Sequence, residues 1–130
     1  MGGRGASSGI SDKENKYGSQ YHTILQSGNI KFVAKNKRTS EPLMETMTKG
    51  RIYVTVGGND LLEITYFDKE NKRYKTIGLD HPHKGIQPHT HHGYFHNEND
   101  GSAGAAEPTP AEKKIIAKVK KSWYNYRNKR

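Results

Sequence analysis

The chain has 130 residues, of which 31% are hydrophobic, and a mean hydropathy of -1.03; this fits one domain with part of its length unstructured and makes a second domain unexpected. It has no cysteine, which excludes disulfides, thiolate nucleophiles and sulfur metal sites and leaves histidine and carboxylate as the side-chain metal ligands. Its formal net charge of +9 lies mostly at one end: residues 109–130 carry eight basic residues and one acidic, against eleven and ten in residues 23–108.

The opening MGGRGASSG is rich in glycine and serine and cannot bury apolar area, so residues 1–16 are expected to form a flexible arm ahead of a single domain over 17–130. No hydrophobic signal region follows, and no apolar run approaches the roughly 20 residues that span a bilayer, so a soluble chain with no membrane partner is expected. Tyr17, Tyr21, Ile24 and Leu25 have weak helical spacing, stopped by the turn cluster Ser27-Gly28-Asn29; a short helix or an irregular packed segment is expected there. From Ile30 the period becomes two, with Ile30, Phe32 and Ala34 alternating against Lys31, Val33 and Lys35, which predicts a strand with one wetter face.

Asn36 to Pro42 reads as a polar loop. Arg51 to Val56 is rich in β-branched and aromatic residues, and the turn Gly57-Gly58-Asn59-Asp60 leads into a returning strand, Leu61 to Phe67. After Asp68-Lys69-Glu70-Asn71-Lys72, Arg73 to Leu79 forms a further strand, so 51–79 is expected to be an antiparallel meander. Pro82, Gly85, Pro88 and Gly93 then break the alternation and predict a loop or short strand leaving the sheet. A linker rich in Gly, Ala and acidic residues spans Asn97 to Ala106. Thr109-Pro110-Ala111-Glu112 is a helix start in which Thr109 caps, Pro110 takes the first helical position and Glu112 completes a capping box, predicting a helix over 110–127. Ile115, Ile116, Val119, Trp123 and Tyr126 recur near helical spacing and supply its apolar stripe. The expected fold is α+β: an antiparallel sheet of about four strands with the C-terminal helix packed on it.

Six of the seven histidines fall in HPHKGIQPHTHHGYFH, residues 81–96, and three readings compete for them. As a metal site, His89 and His91 would point to one side of an extended strand, and Asp80, His81 or His83 would complete a zinc ligand set; neither H-E-x-x-H nor a second ligand cluster accompanies them. As an acid/base site, one imidazole takes a proton from a nucleophilic hydroxyl while another returns one to the leaving group. RNA carries its own nucleophile, the 2′-hydroxyl, so His83, His89 and His91 would need only a phosphate-holding cation, for which Lys84 and Arg51 are the candidates. As an ordered polar loop, the histidines would hydrogen-bond backbone groups and do no chemistry. His92 should point away from His89 and His91, and the isolated His22 reads as surface.

On the terminal helix, Lys113, Lys114, Lys120, Lys121 and Arg127 form a basic block that would attract the phosphates of nucleic acid or an acidic protein surface, or would only keep the chain soluble.

The run Ile77-Gly78-Leu79-Asp80-His81-Pro82-His83-Lys84-Gly85-Ile86-Gln87-Pro88-His89-Thr90-His91 resembles a D-x-x-H … P-H-x-H block that ends the RNase-like C-terminal domains of some polymorphic and contact-dependent toxins. These domains are grouped with the barnase, EndoU, colicin E5 and RelE class. The glycine-rich opening with this body is also similar to small proteins encoded in prophages of Gram-positive bacteria near head-morphogenesis genes. The resemblance implies a metal-independent ribonuclease without a cofactor, with Asp80, His83, His89 and His91 at the positions that match the block. It also implies a place in the cytoplasm of a bacterial host or on the virion. RNA is the implied substrate, and phage head proteins or an acidic immunity protein are the implied partners. The alternative is a phage structural or accessory protein that binds nucleic acid or an acidic partner without turnover.

Overall fold

The computed structural model describes residues 21–36, 51–80, 88–93 and 106–128. The expected N-terminal arm lies outside those residues, as do the expected polar loop Asn36 to Pro42 and the linker Asn97 to Ala106, apart from Asn36 and Ala106 themselves.

Among the described residues six strands form one sheet in chain order: β1 Tyr21–Ser27, β2 Ile30–Lys35, β3 Ile52–Gly57, β4 Asp60–Phe67, β5 Arg73–Gly78 and β6 His89–His92. One helix among the described residues, α1, spans Pro110–Asn128. The architecture is α+β, as the sequence suggests, but the sheet has six strands rather than about four and is mixed. β2 and β3 run parallel, with Ile30 opposite Ile52 and Phe32 opposite Val54; every other neighbouring pair is antiparallel. The meander over 51–79 appears as β3–β4–β5.

The first strand corrects the expectation of a helical or irregular segment around Tyr21 to Leu25. Two-residue turns decide the matter: Gly28 follows β1 with φ +61°, and Ser27 pairs with Ile30 across it. A left-handed residue at this point is what a tight hairpin turn demands and what glycine supplies without strain. Gly58 repeats the device between β3 and β4, again at φ +61°. Between β4 and β5 the Asp68 carboxylate accepts the backbone N–H groups of Glu70 and Lys72 at 2.8 and 3.0 Å, while Asn71 takes the left-handed conformation.

The helix packs on one sheet face. Ile116, Val119 and Trp123 share one helical stripe and bury themselves against Ile30, Phe32, Val54, Ile64 and Ile77. Trp123 stacks on Phe32 with ring centroids 5.8 Å apart, and its indole N–H donates to the Asn59 carbonyl at 3.0 Å, tying the far end of the helix to the β3–β4 turn. Tyr126, counted in the stripe from the sequence, is 42% exposed and stacks on the outer side of Trp123. At the near end the capping box forms as expected: Glu112 N–H donates to Thr109 Oγ1 at 3.2 Å and Thr109 N–H donates to Glu112 Oε1 at 2.9 Å. No helix among the described residues is long and apolar enough to cross a membrane.

Candidate functional site

The histidine segment joins the sheet. β6 pairs with β5 so that His89 lies opposite Gly78, Thr90 opposite Ile77, His91 opposite Thr76 and His92 opposite Lys75. Residues directly opposite in a ladder point to the same face, and neighbours along a strand to opposite faces. Ile77 belongs to the core beneath the helix, so Thr90 and His92 face the helix, and His89 and His91 project from the other side. The expected divergence of His92 from the pair is present.

The histidine face is polar yet enclosed. Val33, Thr55 and Glu63 share the row of Gly78 and His89; Tyr53, Thr65 and Thr76 share the row of His91. Thr55, Thr65 and Thr76 are buried, and the hydroxyls of Thr55 and Thr65 have no hydrogen-bond partner among the described residues. His89 is 1% exposed and His91 7%, with ring centroids 4.7 Å apart in an edge-to-face arrangement at 80°. Space for the His89 ring comes from Gly78: a Cβ at that position would stand 2.7 Å from both Cε1 and Nε2 of the imidazole.

On the helix side a second polar cluster lies directly behind the pair. The Glu112 carboxylate is buried; Oε2 meets Lys75 Nζ at 2.8 Å, and Oε1 accepts the Thr90 hydroxyl at 3.2 Å as well as the Thr109 N–H. Burial pushes the Glu112 carboxyl upward, but the bonds from Lys75 and Thr109, the charge of Lys75 and the Thr90 hydroxyl together hold it below its usual range. Lys75 Nζ also sits 4.2 Å from the centre of the Tyr66 ring. The Tyr66 hydroxyl is pushed up to about 12, first by burial and then by the nearby Glu112 and Tyr74.

Of the residues nominated from sequence, His89 and His91 come together. Asp80 lies two residues beyond β5 and is exposed. His83 and Lys84 fall outside the described residues, as do His81 and His96. Arg51 immediately precedes β3, three strands across the sheet from β6, so its backbone is on the order of 14 Å from the histidine strand. It is half-buried, and its Nε has no hydrogen-bond partner among the described residues. Lys113, Lys114, Lys120, Lys121 and Arg127 are all exposed on α1, on the side of the sheet away from His89 and His91. His22 is exposed, with Nδ1 donating to Asn36 Oδ1 at 2.8 Å.

Among the described residues no group of three or more His, Asp or Glu is placed to hold a metal ion. Gly78, Thr90 and Glu112, which shape the surroundings of the pair, were not candidates from sequence. Thr90 carried a signal in its position between two histidines, which forces it onto the opposite face. No family model matches the chain, and no curated protein or solved structure is significantly similar to it.

Proposed function

We propose that the chain is a toxin-like, metal-independent ribonuclease of phage or prophage origin, acting through the His89–His91 pair. One observation carries this reading: two imidazoles from alternate positions of β6 converge to 4.7 Å on one enclosed sheet face instead of splaying along a loop. In the reaction, a neutral imidazole removes the proton from the ribose 2′-hydroxyl as that oxygen attacks phosphorus. A protonated imidazole gives its proton to the departing 5′ oxygen, and the P–O5′ bond breaks to leave a 2′,3′-cyclic phosphate and a 5′-hydroxyl. His91, the more accessible of the pair, is the ring that meets the 2′-hydroxyl; His89, beside it over Gly78, and His83 are the candidates for the second imidazole. Asp80, His83 and Lys84 are the further acid/base and phosphate-holding groups nominated by the resemblance and the residue types. Arg51 would contact RNA away from the scissile phosphate, given its distance across the sheet.

The test is cleavage of RNA by the purified full chain in EDTA. Cyclic phosphate ends that disappear in His91→Ala and in His89→Ala support the reading; cleavage retained in both removes those residues from the chemistry, and dependence on added zinc would favour the His89/His91 metal reading.

A second reading, binding of nucleic acid or an acidic partner without turnover, is favoured by the placement of α1. Its exposed cations lie across the sheet from the histidines, so this surface can hold a polyanion whether or not the pair is catalytic.

A further inference from the structure

Thr90 stands between the two histidines, and it is fixed from three directions. Its backbone pairs with Ile77 on β5. On its other edge it exchanges two hydrogen bonds with Ala106, each 2.8 Å, just upstream of the helix. Its side chain, fully buried, donates to Glu112 Oε1 at 3.2 Å. The carboxylate receiving this bond is held in turn by Lys75, which sits on the strand beside β6, and by the amide of Thr109.

We propose that Thr90 and Glu112 are positioning residues for the His89–His91 pair: the buried carboxylate of the helix's first turn anchors Thr90 on one face of β6 and so fixes the projection of both imidazoles from the other. The proposal rests on the reading of that pair as the reactive groups, but its physical content, the orientation of the rings, can be observed without any reaction. β6 is only four residues long, so few ladder bonds resist rotation or slippage, and a one-residue slip would carry both rings to the helix side. A buried, charge-assisted hydrogen bond at the central position opposes that slip. The same carboxylate accepts the backbone amide of Thr109, a bond that does not need the Thr109 hydroxyl.

Thr90→Val keeps the shape and removes the hydroxyl, Thr90→Ser restores it, and Thr109→Ala weakens the helix cap without touching the bond to Thr90. Imidazole Cε1–Hε1 resonances of His89 and His91, recorded on the full chain without RNA, read the ring environment. RNA cleavage reads the consequence. Thr90→Val is expected to move both histidine resonances and to lower kcat on the order of tenfold to a hundredfold with KM little changed, Thr90→Ser to return both towards wild type, and Thr109→Ala to lower the melting temperature while leaving resonances and kcat in place. Histidine resonances unmoved by Thr90→Val, or moved as much by Thr109→Ala, would overturn the positioning role. A wild-type chain without cleavage would count against the ribonuclease reading alone, since the resonances still decide the positioning.

Discussion

The imidazole of His89 occupies the space that a side chain on Gly78 would need. The two residues face one another across β5 and β6, and the ring lies over the glycine so closely that a methyl group there would sit 2.7 Å from two ring atoms. The glycine thus leaves room for one edge of a buried histidine ring close to the sheet, with His91 against that ring. Gly78→Ala is therefore expected to displace His89, to cost about 1–3 kcal/mol through overpacking, and to lower RNA cleavage together with His89→Ala. Urea unfolding and the histidine ring resonances check this; unchanged stability with unmoved resonances would show that the contact is not constraining.

The buried Glu112–Lys75 pair gives acid stability a definite sign. The folded-state carboxyl titrates below its ordinary value, so its contribution is fully present above about pH 4.5 and is lost as pH falls through the lowered folded value. Urea midpoints of wild type and Glu112→Gln should differ most near neutrality and converge towards pH 3. Curves that stay parallel across this range would contradict it.

Tyr66 gives a prediction of the opposite kind. Its hydroxyl is buried with no hydrogen-bond partner among the described residues, while its ring supports Lys75. Tyr66→Phe keeps the ring and removes an unsatisfied polar atom, so it should be neutral or stabilising by up to about 1 kcal/mol. With the phenol pushed up to about 12, the fold opposes its ionisation, so the wild type loses stability as pH rises from 10 through 12; the variant should lack this alkaline loss. Thermal melts from pH 7 to 11 measure both effects, and a destabilised variant at pH 7 would mean that the hydroxyl is satisfied in solution.

The exposed cations of α1 make a separate, salt-dependent prediction. Lys120→Glu with Lys121→Glu should weaken RNA binding several-fold and flatten its dependence on salt by about two phosphate contacts, without altering the cleavage chemistry per bound substrate. Fluorescence anisotropy across a salt series tests it; an unchanged slope would assign α1 a solubilising role.

Local signals were legible in the sequence where they are short in range. Period-two alternation marked β2, a run of β-branched and aromatic residues marked β3, Gly57-Gly58-Asn59-Asp60 marked a turn into a returning strand, and Thr109-Pro110-Ala111-Glu112 marked the start of α1, because each is decided within a few residues. β1 was misread because the spacing of Tyr17, Tyr21 and Leu25 suits a helix as well as a strand, and only pairing with β2 resolves it. The parallel direction of β2 and β3 leaves no local trace. The shared side of His89 and His91 followed from parity alone, but their enclosure depends on neighbours remote in the chain. Arg51 was grouped with them by residue type, whereas strand order puts it on the far side of two intervening strands. Glu112 was legible as a cap and not as the partner of Lys75 and Thr90, since those contacts exist only once the helix has docked.

The central claim, that His89 and His91 drive attack by a ribose hydroxyl, is tested most directly with a DNA oligonucleotide carrying a single ribonucleotide, incubated with the full chain in EDTA. The account predicts cleavage only at the 3′ side of that ribose, a cyclic phosphate end, and loss of the product in His91→Ala. Cleavage of the all-deoxy oligonucleotide, or equal cleavage by His91→Ala, would contradict it.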